Sequence, residues 1–260
     1  MLDFWFNLPV PAIFAVLAAT YTLFGVLIHV LTFRSPLRAA SKSLEGIVPQ
    51  MLAVVGLLFG LLTGFLAADI GDHNAQAARA VGAETNALHE VQTLSIASAS
   101  DMSDIRKALY EFVRSEIHDE WPRMTDSGRS AKTETAFGML LHEVADPRIA
   151  QEAGTAVHSA LINAVSQIGL ARSQRLAIST DATNTTKWIT VLVLAIMTQI
   201  TIGLVHLDRP RAQIAALTVF TCALVVALGM MAMQEWPFSG PLQVRPTPFE
   251  QFFGLIEKNA

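Results

Sequence analysis

Four long stretches of the chain are almost wholly apolar, and polar segments separate them. A helix needs about 20 apolar residues to cross the hydrocarbon core of a bilayer. The stretches that meet this requirement are residues 11–33, 47–68, 188–207 and 212–233. None of them contains an Asp, Glu, Lys or Arg. The pattern predicts four transmembrane helices in two hairpins, because a short loop joins the first two spans and another joins the last two.

The middle region is built differently, since apolar residues recur there every three or four positions along a polar background. This period is typical of amphipathic helices that bury one stripe. Residues 122–128 and 146–147 interrupt it. The pattern predicts a bundle of about four helices. The stripes are Ala77, Val81, Leu88, Val91 and Leu94; Met102, Ile105, Leu109 and Phe112; Phe137, Leu140, Leu141 and Val144; and Val157, Leu161, Ala164, Val165 and Ile168.

The predicted fold class is therefore an all-α membrane protein with an inserted extramembrane helical bundle. We predict a first transmembrane hairpin in residues 1–70, the bundle in 71–187, a second hairpin in 188–234 and a C-terminal tail in 235–260. Only Gly71 separates the second span from the first bundle helix, and the last bundle helix runs toward the third span. We expect two helices to continue rigidly out of the membrane.

Composition supports a membrane protein and excludes some other classes. Of the 260 residues, 52% are hydrophobic and 15% are charged, whereas soluble domains carry about 25% charged residues. The net charge of −4 provides no basic surface for nucleic acid. The single cysteine, Cys222, rules out an internal disulfide and a cysteine metal site.

The short loops carry the charges that indicate orientation. Arg34, Arg38 and Lys42 lie in the first loop, and Arg209 and Arg211 lie between the third and fourth spans. Basic residues favour the cytoplasmic side. We therefore expect both short loops in the cytoplasm of a bacterial cell, with the bundle and both termini outside the inner membrane.

Small residues mark one face of the second span. Gly56, Gly60, Gly64 and Ala68 are spaced four apart. Without large side chains, helices approach closely and gain dispersion contacts. Two interpretations stay open: this face packs inside one protomer, or it forms a subunit interface or a pore lining.

Candidate chemistry in the chain is sparse. Spans without ionisable residues argue against an ion-coupled transporter but not against a passive pore. His29 and His206, near span ends, are expected to be interfacial polar caps. Residues 118–120 and 142–146 include His, Asp and Glu, which can bind metals. They are expected to be charged side chains exposed to solvent on amphipathic helices. No phosphate loop, nucleophile elbow or dinucleotide motif is present in the sequence. We predict no enzyme activity, no cofactor and no metal.

Short motifs spread along the chain resemble those of the bestrophin-like family of bacterial membrane proteins. Two of them repeat Glu-Trp-Pro, after a bundle helix and after the fourth span. Each repeat is expected either to end a helix and anchor it at the membrane interface, or to dock on one surface or on the other repeat. The motifs are Glu84 to Leu88 (Glu-Thr-Asn-Ala-Leu); Glu120, Trp121 and Pro122, followed by Arg-Met; Arg172 and Arg175 in Arg-Ser-Gln-Arg-Leu; and Trp236, Pro237, Phe238, Ser239 and Gly240.

The resemblance implies a function that residue patterns alone do not. Bestrophins are oligomeric anion channels whose second span lines the pore, so the glycine face would lie nearest the oligomer axis or its packing interface. It also implies a cytosolic helical domain, in conflict with the loop charges. The leading hypothesis is a homo-oligomeric channel in the lipid bilayer, passing small ions, including anions. The alternatives are a non-conducting interaction or sensory module that binds a partner through the bundle and, third, a metal-dependent membrane enzyme.

Overall fold

The computed structural model describes residues 9–34, 48–98, 100–124, 128–181, 185–240 and 242–258. These residues form helices and contain no strand, which confirms the all-α class. A π-helical turn (Glu116–Glu120) and a 3-10 turn (Trp121–Arg123) follow the third helix. The helices are α1 (Val10–Arg34), α2 (Val48–Ala97), α3 (Ser103–Ser115), α4 (Ala131–Val144), α5 (Pro147–Glu152), α6 (Thr155–Thr180), α7 (Thr185–Val205), α8 (Pro210–Ala232) and α9 (Thr247–Glu257).

Four helices are long and apolar enough to cross a membrane, namely α1, α2, α7 and α8. They coincide with the four predicted spans. A proline lies in the first turn of α1, α2 and α8 and explains where those helices begin. The N–H groups of a first turn have no partner within the helix, so the missing N–H of proline costs nothing there. Ile47, Arg38 and Lys42, used in the predictions for the second span and the first loop, lie outside the described residues.

One of the two expected continuous helices is observed. Helix α2 runs for 50 residues, from the second span through Gly71 into the first bundle stripe. The other expectation was wrong. Helix α6 ends at Thr180, and Asp181 adopts an extended conformation (φ −94°, ψ 129°), so α6 and α7 are separate helices. The residues around this break are polar and β-branched, types with low helix propensity.

The first compact unit comprises Met1–Asp72 and Thr183–Glu235. Its core brings together apolar side chains of α1, α2, α7 and α8, such as Leu17, Leu66, Trp188 and Leu228. Helices α1 and α8 pack closely in opposite directions. Near one end Gly229 of α8 leaves room for the Phe14 ring, where an added Cβ would overlap that ring.

The second compact unit comprises His73–Ala182 and Trp236–Ala260. All four predicted stripes supply its core, although Leu141 was misassigned and is 41% exposed. The segment after the fourth span, which the sequence suggested was a tail, also contributes to this core. Its contributions are Phe238 and, from α9, Phe249, Phe252 and Ile256.

The predicted interruptions of the bundle are confirmed, and each has a local cause. Asp146 caps α5 by accepting a hydrogen bond from the backbone N–H of Arg148 at 2.8 Å. Ser130 caps α4. After α3 the backbone widens into the π-helical turn and then tightens into the 3-10 turn that contains Pro122. A π-helical turn shifts the register of the side chains that follow it and is often found at functional sites.

Candidate functional site

The small-residue face of α2 makes no close contact within the described chain. A Cβ added at Gly56, Gly60 or Gly64 would meet no atom within 4 Å, and Ala68 is exposed. Close packing of this face inside one protomer is therefore not seen among the described residues. A subunit interface or a pore lining stays as a proposal.

The rest of the α2 span is packed on one side only. Phe59, Leu62 and Leu66 face the core of the first unit. Gly60 follows Phe59 and therefore points about 100° away around the helix. On the far side, Leu58 and Leu61 are also exposed. Only 6% of the residues in the 18-residue apolar stretch of α2 are buried in this chain, compared with 17% in the corresponding stretch of α1 and 28% in that of α8.

Polar side chains inside the spans bind one another and the backbone. Gln199 of α7 donates through Nε2 to the Tyr21 carbonyl at 3.0 Å and to Thr221 Oγ1 at 2.9 Å. Gln213 of α8 donates to the Gly203 carbonyl at 2.7 Å, and its Oε1 lies 2.7 Å from His29 Nδ1. These contacts join α1, α7 and α8. His29, for which an interfacial polar cap was expected, therefore also connects α1 to α8.

A cluster of buried charges lies in the second unit, centred on Arg175. The guanidinium of Arg175 is fully buried and donates to both oxygens of Glu84, at 2.8 and 3.4 Å. It also donates to Glu120 Oε1 at 3.1 Å and forms an ion pair with Glu116. Residues of α2, α6 and the π-helical turn are thereby connected through one side chain.

Arg172 extends this cluster toward the surface. It binds Glu120 through two nitrogens, Nε at 3.0 Å and Nη2 at 2.6 Å, in a bidentate pair. Its third nitrogen, Nη1, donates to the half-exposed Glu134 at 3.0 Å. Such planar, charge-assisted pairs are strong and geometrically specific. The arginines therefore fix the position of α6 relative to the turn that carries Glu120.

The fully buried part of the cluster contains more carboxylates than guanidiniums. Glu84, Glu116 and Glu120 face Arg172 and Arg175, and each of the five is at most 4% exposed. Burial raises the pKa of Glu84 above its ordinary value, although Arg175 acts to lower it. Burial disfavours the charged form of a carboxyl group, and a neighbouring guanidinium favours it. With three carboxyl groups facing two guanidiniums, burial favours the protonated form of Glu84, which lowers the uncompensated charge in the folded bundle.

Aromatic rings of the two Glu-Trp-Pro motifs close around the cluster. Trp121 lies under the Arg175 guanidinium, 5.4 Å from it, and contacts the Phe238 ring edge-on at 5.8 Å. Phe249 of α9 stacks on the same guanidinium at 5.7 Å. Docking of the two motifs on each other was one of the alternatives that the sequence left open, and the Trp121–Phe238 contact agrees with it. Cation–π contacts of this kind are strongest when desolvated.

The rest of the second motif forms a compact turn. Ser239 N donates to the Trp236 carbonyl at 3.3 Å, and Val244 N donates to the Pro237 carbonyl at 2.7 Å. Gly240 has φ of +90°, a conformation that favours glycine. This turn delivers Phe238 into the core ahead of α9.

The sequence predicted the wrong environment for Glu120 and did not single out Glu116. Glu120 was expected to be solvated together with His118 and Asp119, but it is fully buried, whereas Asp119 pairs with the exposed Lys132 at 3.0 Å. In the second metal-type set, Asp146 pairs with the exposed Arg148. Among the described residues, no group of three His, Cys, Asp or Glu side chains is arranged to hold a metal ion.

Known proteins similar to this chain point to one family. The Bestrophin-like domain model matches residues 19–249. A bacterial bestrophin homologue from Klebsiella pneumoniae has a similar structure, with a TM-score of 0.66 and 13% identity over 93% of this chain and 97% of that chain. A second structure, described as a membrane protein, has a TM-score of 0.69 and 12% identity over 95% of this chain and 96% of that chain. Among curated proteins, none matches by sequence. The fold is thus that of the bestrophin homologues, and the chain belongs to the bestrophin-like family.

Proposed function

We propose that the chain assembles into an oligomeric, channel-like protein of the bacterial cell membrane and passes small ions, anions among them. The observation that carries this proposal is the nearly unpacked span of α2. Of the residues in its 18-residue apolar stretch, 6% are buried, and its contacts with the core of the unit lie on one side of the helix.

The unpacked surface of α2 carries both small and large residues. It includes the small-residue face and, around the helix, the exposed side chains of Leu57, Leu58 and Leu61. Large apolar side chains suit lipid, whereas glycines at four-residue spacing allow close approach of another helix. Copies of α2 arranged around an axis would cover the glycine face and line a central path. Family membership supports this arrangement.

The polar groups of the spans favour a passive path over a coupled pump. The span interiors carry no Asp, Glu, Lys or Arg, and those groups are the usual proton and ion relays of transporters. Gln199, Gln213 and Tyr21 are engaged in holding helices together. Selectivity in such a pore would come from its width, backbone dipoles and hydrophobic constrictions.

The test is ion flux into liposomes from purified protein, combined with native mass spectrometry of its oligomeric state. The variant is Gly60→Phe, and the size-matched control is Leu58→Phe on the other exposed side of α2. We expect a closed ring of four or more subunits, flux by the unmodified protein, and flux strongly altered by Gly60→Phe but not by the control.

Three results would overturn parts of this proposal. A monomer or dimer without flux would leave no central axis and would favour a non-conducting module that binds a partner through its helical bundle. Flux that only Leu58→Phe alters would move the pore lining to the opposite side of α2. Flux that neither variant alters would remove α2 from the path.

The orientation proposed from the loop charges is tested separately. In a Cys222→Ser background, Lys107→Cys places one thiol on an exposed position of α3. If the bundle lies outside, a membrane-impermeant maleimide will label it in intact cells. Labelling only after permeabilisation would place the bundle in the cytosol, as the family resemblance implies.

A further inference from the structure

A groove runs between α1 and α8 within the first compact unit. It has a volume of about 320 Å³, near the lower limit of about 300 Å³ for small-molecule pockets. Its floor is formed by buried residues, Gly25, Leu217 and Thr221, and its walls by more exposed ones. Gly25 deepens the floor because it has no side chain. The wall residues are Thr22, Val26, His29, Ile214, Thr218 and Cys222.

One end of this groove is marked by positive charge. Helices α1 and α8 run in opposite directions, since His29 contacts Gln213 near that end and Phe14 packs on Gly229 near the other. Arg34, in the last turn of α1, therefore lies at the same end as Arg209 and Arg211 at the start of α8. All three arginines are exposed.

The helical register connects this charge to the groove. Arg211 precedes Ile214 by three residues, and side chains three apart share a helix face. A guanidinium is thus placed one turn beyond the groove wall. Asp208 in the adjoining turn offsets part of the charge, leaving two more basic than acidic residues among these four.

We propose that this groove binds one anionic phospholipid. One acyl chain would lie along the mainly apolar groove between α1 and α8, and the phosphate would meet Arg211 and Arg34 at the charged end. Basic residues at the membrane face between transmembrane helices attract anionic headgroups. This charge complementarity favours a lipid over a second copy of the chain, whose own arginines would repel those of the first.

The proposal is independent of ion conduction, because its readout is bound lipid. The protein is delipidated in detergent, and its binding of phosphatidylglycerol and of phosphatidylcholine is compared by native mass spectrometry. The sole cysteine, Cys222, lies exposed on the groove wall. Its rate of reaction with a maleimide in the same micelles provides a second readout of occupancy.

Three variants separate the charged end from the rest of the groove. Arg211→Gln, alone and with Arg34→Gln, removes headgroup partners, and each arginine is expected to account for about a fivefold change in affinity for phosphatidylglycerol. Thr218→Phe fills the groove from an exposed position on its wall. The matched controls are Val219→Phe, on a neighbouring face of α8 that is 70% exposed, and Arg114→Gln, which removes the same charge from α3.

The expected result is preferential binding of phosphatidylglycerol that slows Cys222 labelling, weakened by the arginine changes and by Thr218→Phe but not by the controls. Equal binding of both lipids, insensitive to Arg211→Gln, would show nonspecific lipid contact and overturn the proposal. A Thr218→Phe protein that loses subunits while retaining phosphatidylglycerol would instead show that a second copy of the chain covers the groove.

Discussion

Replacing Arg175 with methionine tests whether the buried charge cluster holds the helical bundle together. Methionine has a flexible, unbranched side chain that fills part of the arginine's space without its charge. The change removes the hydrogen bonds to Glu84 and Glu120, the ion pair with Glu116 and the stacking on Trp121. Three buried carboxyl groups are then left facing the single guanidinium of Arg172.

The expected loss is large because all three carboxyl partners of Arg175 are fully buried. Removing one member of a buried ion pair typically costs about 3–5 kcal/mol, since the remaining charge is left uncompensated. Whole domains are stable by only about 5–15 kcal/mol. For a unit of this size the loss corresponds to a decrease in Tm of about 10 °C or more.

The effect should also depend on pH in a defined direction. The folded-state pKa of Glu84 lies above its ordinary value of 4.5 because the group is buried. A raised pKa means that the folded state holds the proton more tightly, so this contribution to stability is full below the ordinary pKa and is lost as pH rises through the folded pKa. Without Arg175 the folded pKa rises further, so the Tm deficit should shrink as pH falls from 8 toward 5.

The measurement is tryptophan fluorescence during thermal unfolding in detergent, with far-UV circular dichroism as a second probe. Trp121, one of the four tryptophans, lies beside the cluster and contributes to this fluorescence. Lys132→Met is the control, since it breaks the exposed pair with Asp119 and should leave Tm unchanged within error. If Arg175→Met unfolds at the same temperature as the control at both pH values, the cluster does not stabilise the bundle and the reasoning fails.

Three further substitutions probe the two compact units separately. Gly229→Ala should lower the free energy of unfolding by about 1–3 kcal/mol, because its Cβ meets the Phe14 ring. Gly138→Ala, whose Cβ meets nothing within 4 Å, should raise the free energy of unfolding by about 0.5–1 kcal/mol. Equal effects of the two changes in thermal unfolding would contradict this contrast. Phe249→Ala should cost about 3–5 kcal/mol by emptying a fully buried site of the bundle core, and unchanged protease resistance of the bundle would show that α9 is dispensable.

The helices and most core positions could be predicted because they follow from local periodicity. Each span is an uninterrupted apolar run, and each bundle helix repeats apolar residues at the spacing of its buried face. Leu141 shows the limit of this reasoning. It directly follows Leu140 and therefore points about 100° away around the helix; in this helix the core lies on the side of Leu140.

The charge cluster could not be predicted from local spacing, because its partners lie far apart in the chain. A usable signal was nevertheless present, since each charged residue occupies a core position of a stripe. Glu84 falls between Val81 and Leu88, and Arg172 and Arg175 continue the stripe of Leu161, Val165 and Ile168. A charge in such a register predicts a buried partner of opposite sign elsewhere.

The contribution of α9 to the bundle sets an order on biosynthesis. A ribosome delivers the chain from the amino terminus, and domains usually close as soon as their own residues have emerged. Here the bundle core includes Phe249, Phe252 and Ile256, which are translated only after both membrane hairpins. Residues 73–182 therefore keep an incomplete apolar surface until the second hairpin has been synthesised. Completion of the bundle requires both hairpins to have been translated, and a chain stalled before this point would present its uncovered core to chaperones and proteases.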